Sequence, residues 1–408
     1  MDDGFDIQTV KEKLKKYDQE HLIYFYDQLT TEEKNILLNQ IRLTDFEFLN
    51  KLYLNSYRDE TIEYSRISPI DYYVKNGFSD GDRILYQKIG ENIIKDGKLA
   101  VITLAGGMGS RLGYKGPKGC YEIDLPPKKS LFEFICDKLK DIRKKYGIYL
   151  KWYIMTSPSN DSETKDFFER HHYFGYDQNK IFFFKQNTIC LLDTKGKVLL
   201  NNEYTLKMDS NGNGDIFRSF IDNGLLETSN EIEWFSVSGI DNIILEIIDP
   251  IFIGLTCFNN SNVASKSINK QNLAGKEWIF ANVDSRPNII DPENLNIEMI
   301  ESERYNQINI LSHLFTKEAF IKCANLDIRY HRNYKKNDYL NEEGMKVVAT
   351  SPNSFKFEKF IFDVFKYFNN FTLLEVEADD EFAPIKSFSG EFTPETALEK
   401  YLYKYKNT

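Results

Sequence analysis

The chain has 408 residues, of which 41% are hydrophobic, and its formal net charge is −10 at pH 7. This length exceeds what a single hydrophobic core usually spans, so we expect a large central domain with smaller attachments. The acidic balance argues against nucleic acid or an anionic membrane as a partner, although a local basic pocket can still bind an anionic ligand.

Residues 1–95 are predicted to form an N-terminal helical region that carries no chemical motif. Apolar residues between Val10 and Tyr53 recur at spacings of three and four, which is the period of an amphipathic helix. Thr30 and Thr31, followed by two glutamates, are typical of a helix start. We expect this region to cover one face of the central domain.

From residue 96 onwards, predicted strands alternate with predicted helices. The strands are LAVITL, LKWYIMTS, IFFFKQ and IEWFSVSGI; the helices are SLFEFICDKLKDIRKKY, DSETKDFFERHHYF and DIFRSFIDNGLL; and TICLLDTKGKVLL is a hairpin that turns near Gly196. This alternation predicts an α/β domain with a largely parallel sheet. Ligands bind such sheets at the carboxyl ends of the strands.

The C-terminal part is predicted to be mixed. It contains a helix in KFEKFIFDVFKYF, a strand in FTLLEVEA and a short final helix in PETALEKYLYKYK. We therefore expect the central domain to span residues 96–390, with residues 391–408 as a short C-terminal helix or tail.

Cysteine content and hydropathy bear on the compartment. The five cysteines are odd in number and contain no CxxC pair, which indicates reduced thiols in a cytoplasmic protein. The longest apolar stretch, NIILEIIDPIFIGLTCF, is interrupted by Glu246, Asp249 and Pro250, and its uninterrupted parts are too short to cross a bilayer. The first residues, MDDGFDIQTVKEKLKK, lack the apolar segment of a secretory signal. We expect no membrane association.

The stretch TLAGGMGSRLGYKGPKG, residues 103–119, directly follows a predicted strand. It does not match GxxxxGK[ST], because GYKGPKGC lacks both the spacing and the hydroxyl residue after lysine. It does not match GxGxxG either, because Leu112 occupies the third glycine position after Gly107 and Gly109. Glycines nevertheless let backbone N–H groups approach a base or phosphate closely. Arg111 offers a planar fork for phosphate oxygens and Lys118 a point charge. The alternative, a glycine-rich turn with solvated cations, is less favoured at this density of glycine, and we predict a nucleotide site.

The stretch LAGGMGSRLGYKGPKG resembles the signature of eukaryotic-type UDP-sugar pyrophosphorylases, especially the UDP-N-acetylglucosamine (UDP-N-acetylhexosamine) branch. That family reads L-A-G-G-x-G-T-R-L-G, a short gap and P-K-G, so Ser110 is a mild departure. Further matches follow in order at WYIMTS, HHYFGY, GNG, IDN, KFEKFIFD and DDEFAPIK. The resemblance, which covers residues 98 to 390, implies a Rossmann-like (GT-A-like) nucleotidyltransferase domain with a mixed, largely parallel sheet.

The resemblance also implies a reaction, in which UTP and N-acetylglucosamine 1-phosphate give UDP-N-acetylglucosamine and pyrophosphate with Mg²⁺ as cofactor. The implied nucleotide-binding residues are Leu104, Ala105, Gly106, Gly107, Lys118, Gln186, Gly212, Asp241 and Lys356. The implied catalytic residues are Arg111, Lys118 and Lys386, and Asp241 is the implied metal ligand. Gln186 would read uracil, because an amide can both donate and accept. Without the family match, Asp241 and Asn242 would form a common strand-ending turn, and the lysines would be solvated.

The sugar pocket is expected to depart from the family. The implied sugar-binding residues are Asn213, Glu301, Ser302, Asn309 and Lys386. Ile308 stands where the family has glycine, and the bulky Trp278 lies about where a glycine is expected near the acetamido group. Two alternatives therefore stay open: a UDP-glucose or broad-range pyrophosphorylase, and a UTP-binding protein without catalysis. The family usually carries a further β-rich domain after the lysine of FxPxK, so the short segment after Lys386 favours a monomer.

Overall fold

A computed structural model describes residues 7–55, 62–270, 277–341 and 343–406. Contacts divide the chain into two compact units. Unit 1 comprises Met1–Glu60, Asn187–Gly214 and Ile328–Phe360, and unit 2 comprises Thr61–Gln186, Asp215–Asp327 and Ile361–Thr408. This division differs from the predicted boundary at residue 95, because residues 62–95 group with the central sheet.

In the part of the chain described, helices and strands alternate along most of its length. The helices α1 to α12 are Ile7–Lys16, Thr31–Leu43, Phe46–Asn55, Asp80–Lys95, Leu131–Tyr146, Asp161–Arg170, Ile216–Asp222, Pro250–Phe258, Ile297–Glu301, Lys317–Cys323, Ala378–Glu381 and Pro394–Lys406. The strands β1 to β22 are Ile67–Ser68, Tyr73–Val74, Leu99–Leu104, Glu122–Ile123, Lys129–Ser130, Lys151–Thr156, Ile181–Lys185, Thr188–Cys190, Leu192–Asp193, Leu200–Asn202, Thr205–Leu206, Met208–Ser210, Trp234–Gly239, Val263–Asn269, Ile279–Val283, Arg286–Ile290, Gln307–Thr316, His331–Lys335, Tyr339–Leu340, Lys346–Val347, Ser354–Glu358 and Phe371–Glu375.

Unit 2 is built on one mixed sheet with the strand order β2-β22-β14-β17-β13-β3-β6-β7. Strands β13, β3, β6 and β7 are parallel to one another, whereas β17 is antiparallel to both of its neighbours, β13 and β14. β15 also pairs with β17 and connects to β16 and β1. The prediction of an α/β fold with a mostly parallel central sheet and N-terminal helices is confirmed.

The predicted strands of unit 2 form because their side chains are buried on both faces. All six residues of β3, the LAVITL run, are buried, and so are all six of β13, as expected for central parallel strands covered by helices. α5 begins at Ser130, whose side chain accepts a hydrogen bond from the N–H of Glu133. Its apolar face, which includes Phe132 and Leu139, belongs to the core that contains β3 and β6.

Unit 1 contains α1 to α3 and three small sheets, ordered β11-β10-β19-β20, β12-β8 and β18-β21-β9. The predicted helix start at Thr30 is confirmed: Thr30 and Glu33 form a reciprocal capping box. Within unit 2, the helical prediction is wrong for residues 67–68 and 73–74, which form β1 and β2 and pair with β15 and β22.

The predicted helix KFEKFIFDVFKYF is also wrong at its start. Residues 354–358 form β21, in which Phe355 and Phe357 are buried, and a 3-10 helix follows at Ile361–Tyr367. Hydrogen bonds to β18 and β9 override the helical spacing of the aromatic residues. No helix of the described chain combines the length and apolar character needed to cross a membrane.

Candidate active site

The carboxyl ends of the parallel strands of unit 2 lie at one edge of the sheet. Leu104, the last residue of β3, is level with Gly239 in β13 and with Met155 in β6, and Thr156 is level with Lys185 in β7. The segments that leave these strands therefore start side by side. They carry residues 105–119, 157–160, 186 and 240–242, which together are called the carboxyl edge below.

The glycine-rich stretch forms a loop that is closed by its own backbone. The N–H of Ala105 donates to the carbonyl of Met155 at 2.8 Å, the N–H of Gly109 to that of Gly116 at 2.8 Å, and the N–H of Lys118 to that of Gly107 at 3.0 Å. The first bond anchors the start of the loop at β6, the other two close the loop on itself, and Gly107 stays exposed. Arg111 is also exposed, and among the residues described its guanidinium makes no hydrogen bond or ion pair. Its charge is therefore available to an anionic ligand.

Asn160 supports this loop through hydrogen bonds to its carbonyls, and the sequence analysis did not identify this residue. Its amide nitrogen donates to the carbonyls of Ala105 at 2.9 Å and Gly107 at 3.3 Å, while its side-chain oxygen accepts from the N–H of Ser157 at 2.8 Å. The side chain is 1% exposed. An asparagine just before a helix normally caps it, but this one makes no capping bond to α6. In the sequence it cannot be told apart from an ordinary cap.

Gln186 lies against the glycine loop, where the sequence predicted a uracil-reading residue. Its N–H donates to the carbonyl of Thr156 at 3.0 Å, and the residue is 6% exposed. A Cβ built on Gly106 would overlap the amide nitrogen of Gln186 and lie 3.1 Å from its Cδ. Only glycine therefore leaves room for this amide at position 106.

Asp241 and Lys118 form the charged centre of the carboxyl edge. The Nζ of Lys118 lies 2.9 Å from Oδ2 of Asp241, and both side chains are half-buried. Burial alone would raise the pKa of Asp241, but the charges of Lys118 and Lys386 outweigh it and hold that pKa below its usual range. Asp241 is thus an anion at neutral pH, which a metal ligand must be.

A segment that includes Lys386 connects Asp241 to the glycine loop. The N–H of Ile385 donates to the carbonyl of Asp241 at 3.0 Å, and the N–H of Phe388 donates to the carbonyl of Arg111 at 3.4 Å. The side chain of Lys386 is exposed, and its ammonium lies 4.5 Å from the ring centre of Phe392. The structure therefore places the segment around Lys386 between the backbone of Arg111 and Asp241, which pairs with Lys118.

Three of the predicted residues belong to unit 1. Gly212 has φ +93°, and a Cβ there would collide with the backbone of Lys359; Asn213 begins a 3-10 helix directly after it. The Nζ of Lys356 lies 2.9 Å from Asp209 and 3.1 Å from Glu358. Gly212 is required here by both its backbone conformation and its neighbours.

Three of the predicted sugar-binding residues, Glu301, Ser302 and Asn309, lie in two places in unit 2. Glu301 is the exposed last residue of α9, and Ser302 follows it. Asn309 lies in β17, where its N–H donates to the carbonyl of Trp278 at 3.0 Å and its side-chain oxygen accepts from the N–H of Leu311 at 3.0 Å.

The two residues expected to alter the sugar pocket are placed as follows. Ile308 is 1% exposed and belongs to the core, so its side chain points to the opposite face of the sheet from that of Asn309. The Trp278 ring packs on Phe362, with ring centres 5.0 Å apart. Ile308 is therefore a core residue rather than a pocket residue.

A second group of carboxylates lies behind Asp241 in unit 2. Glu246, Asp249 and Glu381 are close enough together to hold a metal ion, but Lys75 binds all three, at 2.7 to 3.0 Å, and Lys266 binds Asp249 and Glu381. Two ammonium groups thus already occupy these oxygens. Asp241, which faces the glycine loop, is the better candidate for a metal that acts on a nucleotide.

Comparison with known proteins gives a consistent result. The family model described as UTP–glucose-1-phosphate uridylyltransferase matches residues 43–403. The UDP-N-acetylglucosamine pyrophosphorylase of Saccharomyces cerevisiae is 33% identical, over 96% of this chain and 85% of that protein. UDP-N-acetylglucosamine diphosphorylase 2 of Arabidopsis thaliana is 30% identical, over 96% of this chain and 82% of that protein. The crystal structure of the Trypanosoma brucei UDP-N-acetylglucosamine pyrophosphorylase shares the fold, with a TM-score of 0.81, 23% identity and coverage of 98% and 85% of the two chains.

Proposed function

Because the chain belongs to the UTP–glucose-1-phosphate uridylyltransferase family, we propose that it makes UDP-N-acetylglucosamine and pyrophosphate from UTP and N-acetylglucosamine 1-phosphate. It is a uridylyltransferase of the UDP-sugar pyrophosphorylase type. The observation that carries the proposal is the cationic carboxyl edge, where the closed glycine loop, Lys118 and Asp241 meet.

In the proposed mechanism the chain positions two polyanions and neutralises their charge. A phosphate oxygen of the sugar phosphate attacks the α-phosphorus of UTP in line. A new P–O bond forms there as the bond to the bridging oxygen breaks, and pyrophosphate leaves with the electron pair. Little covalent work falls to the protein, so positioning and charge stabilisation dominate.

Several residues of the carboxyl edge, together with Lys386, have assigned roles in this mechanism. Backbone N–H groups near Gly106 and Gly107 approach the nucleotide, and the Gln186 amide pairs with the uracil edge. Arg111 and Lys118 bind the triphosphate and stabilise the leaving pyrophosphate. Lys386, which directly follows the residue bonded to the Asp241 carbonyl, reduces the repulsion between the phosphates that approach each other.

Asp241 would hold Mg²⁺. Its carboxylate offers the hard oxygen ligand that Mg²⁺ prefers, and Mg²⁺ is commonly held by one or two carboxylates together with substrate phosphates. When bound, the ion would draw charge away from the α-phosphate. Without a metal, the Nζ of Lys118 pairs with Oδ2 of Asp241. If that oxygen held Mg²⁺, Lys118 would turn towards the triphosphate.

Two alternatives are less supported. A UDP-glucose activity agrees with the description of the family model, but relatives at 30% identity or more are named for N-acetylglucosamine or N-acetylhexosamine. A binding protein without catalysis would not require Arg111, Lys118 and Asp241 together. A cytoplasmic location and a monomeric state stay predictions, the first supported by five free cysteines.

The test is pyrophosphate release from UTP and Mg²⁺ with N-acetylglucosamine, N-acetylgalactosamine, glucose and galactose 1-phosphates in parallel. We expect the highest kcat/KM with N-acetylglucosamine 1-phosphate. Turnover restricted to glucose or galactose 1-phosphate would agree with the proposed mechanism and contradict the proposed sugar specificity. If calorimetry detects UTP binding without turnover of any sugar phosphate, the chain is a binding protein.

A further inference from the structure

After Asn242, which bridges to Pro384, the carbonyls of the following segment are held by lysine side chains. Four consecutive carbonyls, those of residues 243 to 246, each accept a hydrogen bond from a lysine Nζ. Lys138 binds Ile243 and Leu245 at 2.8 Å each, Lys404 binds Ile244 at 3.1 Å, and Lys266 binds Glu246 at 3.0 Å. Lys138, Lys266 and Lys404 are called the lysine frame.

The lysine frame joins parts of unit 2 that are far apart in sequence. Lys138 comes from α5, Lys266 from β14 and Lys404 from α12. Lys266 is fully buried, and its charge is balanced by Asp249 at 2.8 Å and Glu381 at 2.6 Å. The charged and paired ammonium of Lys266 makes a stronger hydrogen bond than a neutral donor would. Lys138 contributes hydrogen-bond geometry instead of a paired charge, because burial lowers its pKa to about 7. The segment 243–246 is therefore held by side chains from three elements, α5, β14 and α12.

Glu381 connects the lysine frame to the carboxyl edge. Its side chain binds Lys266, and its carbonyl accepts from the buried amide of Asn242 at 2.8 Å. Asn242, the residue after Asp241, also accepts from the N–H of Ala383 at 2.9 Å. Two residues further on, Ile385 donates to the carbonyl of Asp241 at 3.0 Å. Asp241 and the segment 381–385, which leads to Lys386, thus share one support.

We propose that the lysine frame consists of positioning residues, which set where the Asp241 carboxylate stands relative to the glycine loop. This rests on the proposed function, because Asp241 acts on the nucleotide there. The glycine loop has its own support in Asn160 and β6. Loosening the frame therefore displaces Asp241 while the nucleotide-binding backbone stays in place.

The test replaces Lys138 by Met, which keeps the length of the apolar stem and removes the donor. Lys140→Met on the same helix is the matched control, because Lys140 pairs with Asp137 at 3.2 Å and does not touch the segment 243–246. We expect kcat of Lys138→Met to fall about ten- to hundredfold, the range for losing a support of a site residue. The KM for UTP should stay within about threefold. Lys138→Arg, whose fork can donate to two carbonyls, should restore most of the kcat.

A purely structural role predicts a different pattern. If Lys138→Met lowers the melting temperature but leaves kcat unchanged well below that temperature, or if KM for UTP rises as much as kcat falls, the proposal is overturned. If Lys138→Met does not fold, Lys404→Met, which frees the carbonyl of Ile244, is measured in the same way with the same expectation.

A structural measurement separates this proposal from the proposed function. Crystal structures of the wild type and Lys138→Met are compared after superposition on β3 and β13. A shift of the Asp241 carboxylate by about 1 Å or more, the scale that matters for catalysis, supports the lysine frame even if the wild type turns over none of the sugar phosphates. An Asp241 that stays in place overturns it, whatever the enzyme does.

Discussion

The close contact between Gly106 and Gln186 gives a sharp prediction about nucleotide binding. In Gly106→Ala, the new methyl group would overlap the amide nitrogen of Gln186. The overlap involves the far end of a flexible side chain, so the fold should survive. Because Gln186 is 6% exposed, the amide has little free space to retreat into and must leave its position beside the loop.

The expected cost follows from the hydrogen bonds that the displaced amide would make to uracil. Losing one such bond and leaving its buried partner unpaired costs about 1–3 kcal/mol. This corresponds to a rise of about 5- to 150-fold in the dissociation constant for UTP. Isothermal titration calorimetry with UTP, without sugar phosphate, measures it directly.

A double-mutant cycle tests whether the effect passes through Gln186. Gln186→Ala removes the amide, so the double variant Gly106→Ala/Gln186→Ala should bind UTP about as weakly as Gln186→Ala alone. Gly81→Ala is the control, because a Cβ there lies 3.8 Å from the nearest neighbouring atom. Fully additive effects, or an unchanged dissociation constant in Gly106→Ala, would refute the reasoning.

Two further predictions concern charge. Lys118→Ala should lower kcat/KM about 100- to 1000-fold by removing a charge that stabilises the transition state, whereas Lys115→Ala, at an exposed position of the same loop, should not; equal steady-state activity of the two variants would contradict the role of Lys118. In the buried cluster, burial alone would raise the pKa of Asp249, but Lys266 and Lys75 outweigh it and hold this pKa well below its usual range. A carboxyl group with a depressed pKa contributes stability that is fully present above its unfolded pKa of about 4 and is lost as the pH falls below that value. Below about pH 4, the free energy of unfolding in urea should therefore fall by up to about 1.4 kcal/mol more per pH unit in the wild type than in Asp249→Asn. Parallel slopes for the two proteins would contradict this prediction.

Much of the site could be predicted because it follows local rules. A buried strand followed by glycines and cations indicates a loop at a carboxyl edge, and the structure brings Arg111, Lys118 and Asp241 to that edge. The same argument placed Gln186 at the end of β7. Gln186 directly follows β7, Asp241 comes just after β13, and Arg111 and Lys118 lie in the loop that leaves β3; each of these strands is recognisable from its apolar run.

The division into units could not be predicted in the same way. Residues 187–214 and 328–360 pair through short strands such as β9 and β21, and strands of two to five residues carry little periodicity. The helical prediction for 356–358 failed for the same reason, since aromatic residues at mixed spacing satisfy either period. Pairing between distant segments decides such cases, and it leaves no local signal.

The supporting residues were missed because their partners are backbone atoms of distant segments. Asn160 looks like a helix cap, and Lys138 looks like a solvated lysine on an amphipathic helix, yet each binds two carbonyls beside the candidate site. A backbone acceptor has no residue type, so no motif records the pairing. Residues that contact a ligand must have particular side chains at particular positions, so a motif can reveal them. Residues that support a loop only need a donor close to its carbonyls, and any element that the fold places nearby can supply one. For this reason the prediction from sequence was strongest for groups that would meet the nucleotide and weakest for those that hold Asp241 in place.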